Sequence, residues 1–402
     1  MSCHPPPHHI AACACLLTAI AIAPVPDVQA NDEETFIQVR HRQRLPADTI
    51  ACERVPLGEV DDYKPSIVLL PDGQLLLTMF SGRRLESGKI AEQAVIYRSD
   101  DGGRTWSERE TPDIAGREPA LSVTKSGVVF ITAHLLGQDV RNKDGYTHSY
   151  LHRSADGGRT WTSRRVEPDR FRARTIGLTS RNVLQLADGS LLYGISEHAP
   201  RCASVVLRSR DDGKTWTSHG AVFDKVPENY PYTLFGEAHL WQAQSGKLFA
   251  ILRVGAGNSW PIDGTRDPGN NDQSERMIVY SSTDGGRRWR KVTDLGVYGQ
   301  MYMSLLRPAD GQLLLTYTQR AVHPPLGVRA ALGAEHRDGF SFDLKHDEIM
   351  IETKTPAGVS SGGGFGPTVQ LADGALVTAY TYRDAENKKH AEIVRWRLPK
   401  LN

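Results

Sequence analysis

Six short turns in this sequence carry a glycine between apolar, β-rich runs: Gly73, Gly127, Gly189, Gly246, Gly311 and Gly374. Nine residues before each glycine stand, in order, Lys64, Glu118, Ser180, Glu237, Tyr302 and Phe365. If each turn closes a β-hairpin, these six residues share one equivalent place at the far end of the first strand. Brought together, they put two carboxylates, a lysine, a hydroxyl and a phenol at one mouth. Glu118 and Glu237 could then act as an acid and a base. Tyr302 could instead act as a nucleophile, with Glu237 as its base. The bland alternative is a channel mouth that is polar because it is wet.

A second repeat supplies the frame. Ser99, Asp101, Gly103, Thr105 and Trp106 read S-x-D-x-G-x-T-W, and the pattern returns at Ser154 to Trp161 and at Ser209 to Trp216. A fourth copy holds Ser282, Asp284, Gly286 and Trp289, with Arg288 in the threonine place. A worn fifth has Glu335, Arg337, Gly339, Ser341 and Phe342. The aromatic positions are 55, 55, 73 and 53 residues apart, a period that signals a modular array. Asp and Ser side chains pin a tight turn, and glycine supplies the positive φ that such a turn needs. The tryptophan leaves the turn on a strand and can bury its ring between neighbouring units.

Six units of about four strands each predict an all-β fold, a six-bladed β-propeller. Closure is expected from pairing of the N- and C-terminal strands, with Thr35–Arg40 as the fourth strand of the last blade. In an antiparallel blade the Gly73-type turns and the Asp-box turns lie on one face. The long polar connections, Ser81 to Gln93, His134 to His148, Glu197 to Cys202, Val222 to Phe235 and Val254 to Glu275, then share the other face, where the site is expected.

Composition narrows the partners. The 402 residues carry a formal net charge of +1, with 24% charged residues, which argues against nucleic acid or a membrane surface as the main partner. Ile10 to Ala23 is apolar, and Val28-Gln29-Ala30 resembles a cleavage site, so residues 1–30 read as a signal peptide and 31–402 as the mature propeller, secreted or periplasmic. No other stretch is long and apolar enough for a membrane span. The mature chain keeps only Cys52 and Cys202, which could form a disulfide after export. His148 and His152 have no metal-site spacing in a strand, and no phosphate loop or nucleotide fingerprint occurs, so no metal or organic cofactor is expected.

The boxes, the six units and the mouth residues resemble the sialidase (neuraminidase) superfamily of Asp-box repeat proteins, over almost the whole mature chain. Gly236-Glu237-Ala238 with Arg253 sixteen residues further on is its strongest local match. The resemblance implies a glutamate that polarises a nucleophilic tyrosine, and an arginine belonging to a trio that clamps a sugar carboxylate. Phe80-Ser81-Gly82-Arg83 is similar to the family's E-G-R. Arg329, in Gly327-Val328-Arg329-Ala330, lies where the third clamp arginine is expected. Three departures stand out. Tyr63-Lys64-Pro65 replaces the family's R-I-P, Arg117-Glu118-Pro119 resembles R-I-P one unit later, and Phe365 replaces the family's tyrosine. Glu86 and Glu92 are the nearest carboxylates to the usual acid/base position. What the resemblance implies is an exo-α-sialidase type of glycoside hydrolase acting on a terminal, anionic sugar of a glycan or glycoconjugate. Glu237, Tyr302 and Glu118 would be catalytic, and Arg253, Arg329, Arg83, Arg117, Lys64 and Phe365 would bind the sugar. A glycan-binding propeller without catalysis is the competing class.

Overall fold

Each Asp-box is a turn held by its own side chains. Ser99 Oγ accepts the Gly103 N–H at 2.8 Å, and Asp101 Oδ1 accepts the Arg104 and Thr105 N–H groups at 3.0 and 2.9 Å. Thr105 Oγ1 donates to the other Asp101 oxygen at 2.6 Å, and the Trp106 indole donates to the Gly103 carbonyl at 3.1 Å. The serine and aspartate bonds recur in the copies at Ser154, Ser209 and Ser282. Arg288 keeps only the backbone part, its N–H reaching Asp284 at 2.9 Å. Gly213 shows why the glycine is needed: its φ is +78°, and a Cβ there would stand 2.3 Å from the Phe130 ring. The worn fifth copy forms an ordinary hairpin, pairing His336 with Gly339.

The structure is a computed structural model and describes residues 35–45, 48–166, 177–197, 203–224, 234–255, 275–356 and 364–399. Thr35–Asn402 forms one unit, and Met1–Glu34, with the expected signal peptide, lies outside the described residues. The chain opens with β1 (Thr35–Arg40) and β2 (Thr49–Leu57). A three-stranded sheet follows: β3 (Tyr63–Leu69), β4 (Leu75–Arg84) and β5 (Ile90–Ser99). Three four-stranded sheets come next. They are β6 (Arg117–Val123), β7 (Val129–Leu135), β8 (His148–Ser154) and β9 (Thr162–Arg165); then β10 (Gly177–Gln185), β11 (Leu191–Glu197), β12 (Ala203–Ser209) and β13 (Thr217–Phe223); then β14 (Leu234–Gln242), β15 (Leu248–Gly255), β16 (Arg276–Ser282) and β17 (Arg290–Leu295). The remaining strands are β18 (Gln300–Leu306), β19 (Leu313–Gln319), β20 (Gly327–His336), β21 (Gly339–Phe342), β22 (Glu348–Met350), β23 (Phe365–Gln370), β24 (Leu376–Arg383) and β25 (Lys389–Trp396). With β1 and β2 they build one ten-stranded sheet, ordered β18-β19-β20-β22-β1-β2-β25-β24-β23, with β21 off β20.

This is an all-β, propeller-like architecture of four separate sheets and one large sheet. Two expectations need correction. Thr35–Arg40 does not pair with the last strand: β2 does, from Cys52↔Trp396 to Leu57↔Ala391, and β1 lies one strand further out between β2 and β22. β2, nine residues long, lays six of them against the eight of β25, while Ile37 and Val39 of β1 bury against Leu314, Ile349 and Trp396. The first sheet has three strands, because residues 106–116 follow its edge irregularly, bridging Ile96 to Glu110 and Gln93 to Ala115.

Apolar clusters lie between successive sheets, and the box tryptophans pack into them. Trp161 joins Leu70 and Leu76, Trp216 joins Phe130 and Tyr193, and Trp289 joins Leu192 and Leu248. Trp106 packs with Leu75, Val377 and Ile393, so the first sheet is covered by β24 and β25.

Candidate functional site

The first strand of every unit starts with a bulge. Its pairing slips between Tyr63 and Ser66, Arg117 and Ala120, Thr179 and Val183, Gly236 and His239, Met301 and Ser304, and Phe365 and Thr368. Lys64, Glu118, Glu237 and Tyr302 lie in the bulge and Phe365 borders it, with φ of 57°, 55°, 49°, 58° and 68° in that order. Side chains rarely adopt this left-handed conformation, which costs of order 1 kcal/mol each and is kept where it aims a side chain. Register also fixes the face. Gly236 pairs with Arg253 at one end of β14–β15, while Ser282 of the box pairs with Leu248 at the other.

The bulge in β10 is larger by one residue: Thr179 to Val183 spans four positions against two on β11. The ring position here was expected at Ser180, whose side chain lies outside the described residues. Arg181 is the residue that joins the group. Its Nη2 donates to Glu118 at 2.9 Å and stands 3.0 Å from Glu237. Its guanidinium lies 4.1 Å from the Phe365 ring centre and 4.8 Å from that of Tyr302.

The site is a chain of alternating charge. Lys64 donates to Glu118, Arg181 bridges Glu118 and Glu237, and Arg253 donates to Glu237 at 2.9 Å and to Glu275 at 2.6 Å. Tyr302 and Phe365 form its aromatic wall, ring centres 4.3 Å apart. The Phe365 N–H is held by Thr318 Oγ1 at 2.9 Å. Arg320, just past β19, donates to the Tyr302 hydroxyl at 2.6 Å. Arg253 and Arg320 stand 4.8 and 5.3 Å from the Tyr302 ring centre, and Lys64 stands 5.8 Å away.

Burial and charge compete in each group. Burial alone would raise the Glu118 carboxyl, but Lys64 and then Arg181 hold it well below the usual range. Arg181 and Arg253 likewise outweigh burial at Glu237 and lower it. Burial pulls Lys64 down to about 8 against the pull of Glu118. Burial raises the Tyr302 phenol, with Arg253 and Arg320 opposing. His134, opposite Arg117 in the β6–β7 register, is pulled by burial to about 4, so it is neutral.

The other expected residues fall outside this chain of charge. Arg117 is clamped by Glu92, with Nε at 3.1 and 3.0 Å from its two oxygens, and lies 5.7 Å from the Phe80 ring. Burial nonetheless raises the Glu92 carboxyl. Arg83 is exposed near the end of β4. Arg329 is buried within its own sheet, held by Glu348 and the Pro325 carbonyl, so the guanidinium facing Tyr302 from this unit is that of Arg320. Cys52 is a half-buried free thiol, and Cys202 lies outside the described residues. Sequence reasoning missed Arg181, Arg320 and Glu275. An extra bulge residue hides the first, the varied spacing after Gly311 hides the second, and the third has no repeat to mark it.

Beneath the ring is a cavity of about 100 Å³, lined by Lys64, Arg181, His239, Tyr302 and Phe365 among others. It holds a few waters at most. Among the described residues no cluster of His, Cys, Asp and Glu fits a metal ion, and no helix is long and apolar enough to cross a membrane.

A propeller-like stack of sheets tied by Asp-box turns around a charged axial ring defines a class of protein. A model of the BNR repeat-like domain matches residues 118–343, and one of the BNR/Asp-box repeat matches residues 97–108. The chain belongs to this BNR repeat family of the sialidase superfamily. It is 26% identical over 247 residues to a sialidase of Micromonospora viridifaciens, a match covering 52% of this chain and 37% of that protein. Among solved structures, a Dyadobacter fermentans protein of unknown function aligns with a TM-score of 0.63 at 19% identity, covering 91% of this chain and 98% of that one. The NanB sialidase of Streptococcus pneumoniae aligns at 0.62 and 13% identity, covering 87% and 70%. The intramolecular trans-sialidase of Ruminococcus gnavus aligns at 0.59 and 16%, covering 84% and 94%.

Proposed function

We propose that this protein is an exported exo-glycoside hydrolase that removes a terminal, anionic sugar from a glycan, using Tyr302 as nucleophile. One observation carries the reading: the Tyr302 phenol is ringed by Lys64, Arg181, Arg253 and Arg320, with Arg320 donating to its oxygen at 2.6 Å. Cations around a phenol favour the phenolate that forms as the oxygen attacks. Glu237 is the carboxylate base, coupled to the phenol through Arg253, which touches both. Glu118 is the second carboxyl of the pair. We also read the frame as six blades, the ten-stranded sheet contributing two that share β1. The apolar clusters between successive sheets support that count, as does the pairing of β2 with β25, which joins N- and C-terminal segments.

A fluorogenic sialoside, set beside a panel of neutral aryl glycosides, tests the activity. Turnover of the sialoside that disappears in Tyr302→Phe, with folding retained, is expected; full turnover in that variant sinks the nucleophile assignment. A glycan-binding propeller without catalysis has its own support: the ion pairs hold both Glu118 and Glu237 ionised, leaving neither as a resting acid. Glycan-array binding with no cleavage of any substrate would select it.

A further inference from the structure

The resting site has two carboxylates and one shared cation. Arg181 Nη2 touches Glu118 at 2.9 Å and Glu237 at 3.0 Å, so one guanidinium lies between the two acids and offsets the repulsion between them. The same edge of that guanidinium is only half used. Its Nε–H has no acceptor among the described residues and is closed off from solvent. Its flat face rests on Phe365 and Tyr302 and forms no hydrogen bond there. Arg181 is therefore held to the acids through Nη2 and is free to exchange partners.

We infer that Arg181 is a ligand-operated switch on the Glu118–Glu237 pair: an anionic group of the bound sugar takes over the guanidinium, and the carboxyl pair then binds one proton and becomes the general acid. The inference rests on the anionic-sugar reading above, and it supplies the acid that the resting site lacks. The proton comes from bulk solvent. Glu118 then gives it to the leaving oxygen as the glycosidic C–O bond breaks and that oxygen keeps the bonding pair. The Tyr302 oxygen forms the new bond to the anomeric carbon and passes its own proton to Glu237.

Other charges around the pair decide where the proton goes. Glu118 faces Lys64 from β3 and the neutral His134 from β7; its neighbour Arg117 is neutralised by Glu92 of β5. Glu237 keeps Arg253 of β15, whose other fork is on Glu275, while Arg320 serves Tyr302 of β18. With Arg181 withdrawn, Glu237 retains an arginine and Glu118 retains only a lysine that burial already discourages from carrying charge. The proton belongs to the pair, and Glu118 is the side it favours. Arg181 thus acts through the carboxyls and is a positioning residue.

Two measurements test this. The first is ligand-free: an infrared pH titration of the protonated-carboxyl stretch in Arg181→Met, with Arg181→Lys as the charge-keeping control. The Met variant should show a carboxyl titrating about 1–3 pH units higher than wild type, the range over which a neighbouring arginine shifts an acid. Arg181→Lys should restore most of the wild-type titration, and Arg181→Met/Glu118→Gln should lose the band. A Met variant with the wild-type titration overturns the inference, whether or not the protein turns over any substrate. The second is calorimetric titration of wild type with free sialic acid at about pH 5, in buffers of different ionisation enthalpy. Uptake of between about half and one proton per bound ligand is expected, and none in Glu118→Gln. Binding without proton uptake overturns the switch. Failure of the sugar to bind, with the infrared shift present, refutes the anionic-sugar reading and leaves the Arg181 assignment standing.

Discussion

The hydroxyl-bearing ring of Tyr302 leans on the oxygen-free ring of Phe365, centre to centre 4.3 Å, at an angle of 53°. Both residues share a left-handed conformation, at φ of 58° and 68°, nine residues before their turn glycines. The phenol thus stands one unit away from where the family resemblance expects it, yet it faces the same charged ring. Its oxygen is bonded to Arg320 at 2.6 Å, while the Phe365 contacts are ring faces, to Arg181 at 4.1 Å and Lys64 at 5.2 Å. Moving the hydroxyl should therefore fail. Tyr302→Phe should lose about 1,000-fold or more in kcat. The swap Tyr302→Phe with Phe365→Tyr should recover less than about a tenth of the lost rate, since the oxygen of a residue-365 phenol has no Arg320 beside it. Steady-state kinetics on the released aglycone decide it; full recovery in the swap would show that either place can host the nucleophile.

The repeat was legible because its chemistry is local. Asp101, Asp156, Asp211 and Asp284 each fold their own turn, so a spacing count finds them and, with the turn glycines, finds Lys64, Glu118, Glu237, Tyr302 and Phe365. What sequence could not supply was any residue placed by a change of register. One extra residue in the β10 bulge puts Arg181 where counting puts Ser180. Arg320 follows its turn glycine by a different interval from Arg253, so counting does not find it, and Arg329, the residue that the resemblance implies, is held by Glu348. The closing strand was misassigned for a similar reason. β1 and β2 both carry alternating apolar residues, and only the pairing of β2 along β25 and the burial of Ile37 and Val39 distinguish their places.

Lys64 gives a pH test with a definite sign. Burial lowers its ammonium from 10.5 to about 8 in the folded protein, while the unfolded chain keeps the ordinary value. Between those two pH values the unfolded state binds a proton that the folded state has released, so stability rises with pH across the window. Below about 8 both states are protonated and this group contributes no slope. Chemical denaturation at several pH values should show a gain of up to about 3 kcal/mol attributable to Lys64, absent in Lys64→Met. An identical slope in the variant would place the lysine in water rather than at the buried end of Glu118.

The Asp-boxes predict behaviour at the other end of the scale. The Thr215 hydroxyl and N–H, with Ser209, hold Asp211 down from 3.8 to about 2. A carboxylate depressed in the folded state contributes stability that is present above its unfolded value and lost as pH falls through its folded value. Asp211→Asn should therefore lower the Tm relative to wild type above about pH 4, and the gap should close as the pH approaches about 2. Scanning calorimetry across that range measures it. A gap that persists unchanged in acid would mean that the amide fails for reasons of shape, not charge.

Glu275 is the residue on which the reach of Arg253 toward Glu237 depends. It is buried, and it takes both Nε and Nη2 of that guanidinium, leaving Nη1 for Glu237. Removing its charge strands a buried cation with half its former neutralisation, and breaking a buried pair from one side costs about 3–5 kcal/mol. Glu275→Gln keeps the shape and one acceptor, so its stability loss should fall at or below the lower end, about 3 kcal/mol. The released guanidinium should also turn more fully toward Glu237, holding that carboxylate lower and making it a weaker base toward Tyr302. The base limb of the kcat profile should then move to lower pH, with kcat at neutral pH reduced about tenfold. A variant that loses stability with an unchanged kcat and pH profile would confine Glu275 to the scaffold and separate Arg253 from the chemistry.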